Sequence, residues 1–268
     1  MTTPSIQRIT SRENPMVKRL RQLTGQSNVY RTHGQFWLEG DHLCRAALSR
    51  GQSVTQAFFA ESLWESQNQL WLKCAPVITL MPDNLFSFIS SLESPSQMGF
   101  LLELPEQKPI EPEVMTVVLD RLQDAGNVGS ILRSAAAFGV NQVLALKGTA
   151  ALWSPKVLRS AMGAHFGIQL IEGLSESDLD ALTVPRIATS SHQGPFLHEW
   201  IKRSDWPHPC AWLLGHEGQG LSESLLHSAK HCVRIAQPGG EESLNVAAAA
   251  AICLHASASV HLGSQRNS

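Results

Sequence analysis

Six short apolar runs in the second half of the chain set the strongest constraint on its fold. They are TVVLD (116–120), QVLALK (142–147), GIQLI (167–171), RIATS (186–190), AWLLG (211–215) and CVRIA (232–236). Each is too short for a helix and is followed by turn residues and a helical stretch. The last leads to an Ala-rich helix from about Ser243. Alternation of this kind predicts a parallel sheet with helices on both faces, an α/β fold. Ligands of such sheets bind outside the carboxyl ends of the strands, so the loops that follow the runs are where chemistry is expected.

The first half reads differently. Met16, Val17, Leu20 and Leu23 fall at helical spacing. FWLEGDHLCRAALSRG reads as a strand entering a helix closed by Gly51, VTQAFFA and PVITLM as strands, DNLFSFISSLES as a helix and QMGFLLEL as a last strand. Residues 105–113 hold three prolines and four charges, with little that could pack. The expected organisation is therefore a domain over 1–104, a linker over 105–113 and a second domain over 114–268.

Length and composition fit two packed domains, since 268 residues exceed the usual single-domain size and 43% are hydrophobic. Cys44, Cys74, Cys210, Cys232 and Cys253 are scattered, without a CxxC pair, which disfavours a zinc site or disulfide framework and suits a reducing compartment. The N-terminal MTTPSIQRITSRENP is polar and unlike a signal peptide, and no apolar run approaches membrane-spanning length. A cytoplasmic protein is expected. The formal net charge is only −2, yet residues 1–31 carry six Lys or Arg against one Glu. A basic arm that meets phosphate and a solvated helix face explain this equally well.

Three segments carry more than fold. In LDRLQDAGNVGSILRSAAAFGV (119–140), a strand ends at Asp120, a loop crosses Gly126 and Asn127, and a helix runs to about Phe138 with Gly139 as terminator. Asn127 is explicable as a helix N-cap. Arg133 sits among small residues and could hold a phosphate or carboxylate through its planar fork, or form a structural salt bridge. In WLLGHEGQGLSESLL (212–226), three glycines in six residues allow close approach of backbone to a ligand, without the Walker lysine or GxGxxG spacing. Glu217 disfavours phosphate there and suits a cationic or hydroxyl-bearing ligand. In CVRIAQPGGEESLNVAAAAAICLHA (232–256), Ser243 fits a helix cap, whereas Asn245 in a first helical turn wants a polar partner.

Taken in this order, Asn127-x₅-Arg133, LLGHEGQGL (213–221) and ESLNV (242–246) resemble the SpoU, or TrmH, family of RNA 2′-O-methyltransferases in the SPOUT superfamily. SPKVLRSAMGAHFGI (154–168) and ATSSH (188–192) also look like family segments, and ITSRENPMVKRLRQL with WLEGDHL resembles the smaller ribosomal-protein-like substrate-binding domain that precedes it. The resemblance implies a trefoil knot in the second domain, S-adenosylmethionine as cofactor, and a homodimer whose active site is completed across the interface. The chain departs from the family at Ile235-Ala236-Gln237, where I-P-M is common, and at Glu241, where an apolar residue is usual.

The resemblance further implies roles. Asn127, Arg133, Glu217, Ser243 and Asn245 form the catalytic set. Thr189, Ser190, Gly215, His216, Glu217, Gly218, Ile235 and Leu244 hold the cofactor, largely through main chain. Arg12, Lys18, Arg19, Arg21, Arg133, Lys156 and Arg159 contact RNA, with ribosomal RNA favoured over transfer RNA. A guanidinium holds its proton too strongly to give it up in water, so Arg133 is expected to act as a fixed cation beside the attacking 2′-oxygen and its phosphate rather than as a base. A non-catalytic RNA-binding protein of the same fold is the alternative; a base-methylating relative and a nucleotide-dependent oxidoreductase fit fewer of the residues.

Overall fold

The six apolar runs form one fully parallel sheet: β6 (Thr116–Leu119), β7 (Gln142–Leu146), β8 (Gln169–Leu174), β9 (Arg186–Thr189), β10 (Ala211–Leu214) and β11 (His231–Val233). The computed structural model describes residues 4–190, 193–203, 206–239 and 243–265. The strand order is β11-β9-β10-β6-β7-β8. The chain moves outward from β6 through β7 and β8, then returns to the opposite side of β6. The reversal lies between β6 and β10, where Val117 and Val118 pair with Trp212 and Leu213. Because all strands point one way, the loops after β6, β9 and β10 emerge together at one edge, which is where a doubly wound sheet binds ligands.

Two helices frame that edge. α6 (Ala125–Ala137) follows β6, and α10 (Val246–Gln265) closes the chain. Ala250, Cys253, Leu254 and Ser257 of α10 are buried, at the spacing of one helix face. The Ser257 hydroxyl accepts a hydrogen bond from Trp212 Nε1 at 3.0 Å. α10 packs along α6. Asn127 meets Asn245 at the start of both, and the Phe138 and His255 rings meet further along, so the helices run parallel. α8 (Leu197–Trp200) and α9 (Glu223–Ser228) are short.

The first half forms its own mixed sheet of β1 (Ser5–Arg8), β2 (Gln35–Glu39), β3 (Gln56–Ala60), β4 (Val77–Met81) and β5 (Met98–Glu103), in the order β1-β4-β3-β5-β2. β5 runs antiparallel to both neighbours, while β1, β4 and β3 are parallel. Its helices are α1 (Pro15–Gly25), α2 (Val29–His33), α3 (Asp41–Ser49), α4 (Glu61–Trp71) and α5 (Asp83–Ile89). Phe59, Trp71 and Phe100 fill one part of the core and Trp37, Phe58 and Phe86 another, with ring centroids 5.5 to 6.5 Å apart. Gly99 is required where it stands, because a Cβ there would lie 2.1 Å from the Trp37 ring.

The division into units differs from the expected boundaries. One unit comprises Met1–Glu106 with Trp153–Phe166, the other Gln107–Leu152 with Gly167–Ser268. α7 (Pro155–Ala161) therefore belongs with the first half: the Trp153 ring lies tilted against Phe36, centroids 4.6 Å apart, and α7 packs on β2 and α1. Residues 107–112 are not a free linker either. Their polar groups bond to the ends of the second sheet, through Gln169 to the Pro109 carbonyl, Gln142 to both backbone groups of Glu111, and the Thr183 N–H to the Pro112 carbonyl. Ile110 packs against the core beside them.

Candidate active site

A hydrogen-bond chain joins the three segments singled out in the sequence. Glu217, in the loop after β10, accepts from the N–H groups of Gln123 (3.3 Å) and Asp124 (3.1 Å) and from Asn127 Nδ2 (3.3 Å). The Asn127 oxygen accepts from Asn245 Nδ2 at 2.9 Å. The Asn245 oxygen then caps α10, accepting from Ala247 N–H at 2.9 Å and Ala248 N–H at 3.3 Å. The order of atoms follows from charge. An ionised carboxylate only accepts, so Asn127 must turn its NH₂ toward Glu217, which leaves its oxygen for Asn245. Partial burial pushes the Glu217 carboxyl upward, but its own backbone N–H, that of Asp124, the Asn127 amide and the Gln123 N–H outweigh burial. The net pKa is below the ordinary glutamate value. Glu217 is thus a fixed anion at neutral pH and a poor general base.

Two expectations change here. Asp124, not Asn127, is the N-cap of α6; its carboxylate accepts from Asn127 N–H at 2.8 Å, which frees the Asn127 side chain for the relay. Asn245, not Ser243, caps α10, which begins at Val246. Capping answers why an asparagine stands at that helix start.

The loop carrying Glu217 is shaped by its glycines and His216. Backbone bonds between His216 and Gly220 (3.0 and 2.8 Å) close a tight turn, and His216 Nδ1 accepts from Gly218 and Gln219 N–H. The ring proton therefore sits on Nε2. A Cβ on Gly215 would lie 2.2 Å from Gly220 C and Leu221 N, so only glycine lets the turn fold back on the strand end. Asp120, at the end of β6, is 1% exposed and holds the same loop from below. It accepts from Ser222 N–H (2.8 Å) and from Arg121 Nε and Nη2, and Arg121 reaches Gln219. Asp120 is absent from the expected site residues, and the signal for it in the sequence is a carboxylate ending an apolar strand.

Beside the relay lies a cavity of about 750 Å³. All eight residues expected to hold a cofactor line it: Thr189, Ser190, Gly215, His216, Glu217, Gly218, Ile235 and Leu244. Ser243 lines it too, as do Leu221, Leu226, Val233, Val246 and Ala249, which make much of the wall aliphatic. Gln193 and Gln237 add amides, and Gln237 Oε1 is buried without a hydrogen-bond partner among the described residues. A cavity of this size with an aliphatic wall, glycine backbone and a few polar groups fits a nucleoside-sized ligand. Ser191 and His192 of the ATSSH loop, and Glu241 and Glu242, lie outside the described residues.

Arg133 is not brought into the relay within one chain. It lies six residues beyond Asn127 on α6, about 9 Å along the axis and about a third of a turn around it. Its side chain is exposed and makes no hydrogen bond or ion pair with any described residue. The other expected RNA contacts all fall in the first unit. Arg12 and Arg21 lie over the Phe88 ring, 4.5 and 4.3 Å from its centroid, Lys18 pairs with Glu13, and Arg19 donates to the His33 carbonyl. Lys156 and Arg159 are carried on α7, which packs against α1, so sequence-distant cations share one unit. No helix of the described residues is long and apolar enough to cross a membrane.

Comparison with known proteins places the whole chain among RNA methyltransferases. The SpoU rRNA Methylase family matches residues 114–255, and an MRM3-like substrate binding domain matches residues 14–99. A Synechocystis protein named as a tRNA/rRNA methyltransferase is 34% identical, over 94% of each chain. The Bacillus subtilis 23S rRNA (guanosine(2553)-2′-O)-methyltransferase RlmP is 29% identical, over 93% of this chain and 98% of its own. An AdoMet-bound rRNA methyltransferase from Sinorhizobium meliloti superimposes with a TM-score of 0.80 at 27% identity, over 94% of this chain and 97% of that one.

Proposed function

Because the chain belongs to the SpoU rRNA methylase family, we propose that the Glu217–Asn127–Asn245 relay and the adjoining cavity form the methyl-transfer site. The protein is an S-adenosylmethionine-dependent methyltransferase that modifies a ribose 2′-hydroxyl of ribosomal RNA. The observation that carries the site assignment is the relay: three sequence-distant segments meet through amides whose orientation one carboxylate dictates. The cavity residues fit the cofactor. The aliphatic wall suits its base, the orphan Gln237 oxygen offers an acceptor, and the Gly215–Gly220 turn presents main chain. When bound, S-adenosylmethionine supplies a methyl group activated by sulfonium charge.

The chain's own residues position and stabilise. Glu217 fixes the turn that borders the cavity and, through Asn127, fixes Asn245. Asn245 and Ser243 orient the ribose hydroxyl at the cavity mouth. Arg133 supplies a permanent cation for the neighbouring phosphate and for negative charge developing on the 2′-oxygen. RNA alone offers that hydroxyl. The first unit, with Arg12, Lys18, Arg19, Arg21, Lys156 and Arg159, holds the RNA.

Arg133 serves a homodimer best. It projects from α6 away from its own relay, while α10 exposes Ala248 and Ile252 from an alanine-rich stretch that another backbone can approach closely. In this reading Arg133 completes the partner protomer's site. A trefoil knot is supported by membership of the family; residues 193–197 pair alongside the end of β11, where Arg234 N–H bonds the Pro195 carbonyl and Leu197 N–H bonds the Arg234 carbonyl. Five free cysteines suit the reducing cytoplasm where ribosomal RNA is modified.

The test is subunit complementation. Arg133→Ala and Asn245→Ala homodimers should each lose transfer of labelled methyl to ribosomal RNA. After mixing and re-association, half the dimers are hybrids with one intact site, restoring about a quarter of wild-type activity. A mixture as inactive as its parents would overturn the shared site. A wild type that leaves RNA unlabelled would overturn the function.

A further inference from the structure

Gln237 stands where the family commonly has methionine, and nothing in the relay uses it. Val233, Ile235 and Gln237 line the cavity at every second position, as an extended segment places side chains on one face. Two of the three are aliphatic. The third ends in an amide whose oxygen is buried without a donor among the described residues. Gln237 as a whole is only half-buried, so rotation of its amide can turn this unpaired oxygen to the cavity, where a ligand that is apolar on its faces and polar at its edge satisfies it. A nucleobase has that form.

We propose that the Gln237 side-chain amide reads the amino-bearing edge of the cofactor's adenine, with Oε1 accepting from the exocyclic N6 amino group. This rests on the cavity being the S-adenosylmethionine site. Adenine places that donor beside ring-nitrogen acceptors, and a glutamine amide matches the pair with one acceptor and one donor. Gln237 is thus a specificity residue of this chain. A methionine at the same position fills the volume but offers no strong acceptor.

The experiment measures, by calorimetry on the full-length protein, binding of S-adenosylhomocysteine and of its analogue with unsubstituted purine in place of adenine. Wild type should prefer the adenine compound by about tenfold, the factor for one neutral hydrogen bond in a dry site. Gln237→Met should bring the preference close to one, weakening the adenine compound about tenfold more than the purine compound, which loses only the bond to its ring nitrogen. Gln237→Glu keeps the acceptor and should keep the preference, and it serves should the methionine variant not fold. Equal affinity of wild type for both compounds, or the same preference in wild type and Gln237→Met, overturns the proposal. Failure of wild type to bind S-adenosylhomocysteine at all overturns the cofactor site as well, so the two failures are distinct.

Discussion

Asn245→Asp separates two jobs held by one side chain. Aspartate caps a helix as well as asparagine, and its charge suits the N-terminal end of the helix dipole. The bonds to Ala247 and Ala248 therefore persist, so the melting temperature should fall by only about 2–4 °C, the share of the relay alone. The contact with Asn127 does not persist. An acceptor oxygen replaces the donor 2.9 Å from the Asn127 oxygen. If Asn127 turns over to donate, its oxygen then faces the Glu217 carboxylate. One junction is broken in either arrangement, at about 1–2 kcal/mol for a lost bond plus facing acceptors. S-adenosylhomocysteine should bind about tenfold more weakly, and single-turnover methyl transfer should fall further, because the ribose-orienting amide is gone. Asn245→Ala loses cap and relay together, about 2 kcal/mol, and should melt about 4–8 °C lower. Calorimetry, thermal unfolding and single-turnover kinetics on the three proteins decide the matter. If Asn245→Asp binds and turns over like wild type, the relay has no part in the site and Asn245 is a helix cap alone.

Gly215→Ala puts a methyl group where Gly220 and Leu221 backbone already stand 2.2 Å away, so the turn must open. Binding of S-adenosylhomocysteine should weaken by more than tenfold in calorimetry, while circular dichroism shows the sheet intact. Glu217 gives a pH prediction. Its folded pKa is depressed, so its stabilisation is complete above about 4.3, the unfolded value, and is lost as pH falls through the lower folded value. Turn-dependent ligand affinity should hold from neutral pH to near 4 and then drop in wild type, whereas Glu217→Gln should be weaker throughout and lack that drop.

Much of the second unit was legible because each buried strand is a bare apolar run. All six expected strands appear within three residues of their ends. The first unit hides more. β1 is an exposed edge strand, SIQR, with no apolar alternation to mark it, and α4 has few apolar residues and a non-helical Gln67 at its middle. α7 could not be assigned to its unit from sequence, because Trp153, Val157 and Leu158 are equally apolar whichever core they enter. The charge of the basic arm was legible. What holds its arginines in place was not, since laying Arg12 and Arg21 over Phe88 joins residues 76 and 67 positions apart.

In the site, the sequence assigns the cap to Ser243 and asks a polar partner for Asn245, and the structure gives Asn245 both the cap and the partner. A carboxamide has an acceptor end and a donor end. The oxygen of Asn245 is used by α10, so only the nitrogen is left to face Asn127. Asn127 is likewise constrained, since Asp124 takes the capping position and Glu217 takes its nitrogen. The carboxylate at one end and the helix terminus at the other thus admit a single orientation of both amides. A network with one self-consistent arrangement is rigid without being buried, which an exposed site that must hold a ribose hydroxyl requires. Only removal of both ends, by Glu217→Gln together with displacement of the α10 terminus, would free both amides to turn. The precision of the site therefore resides in the coupling of its polar groups and not in any one of them.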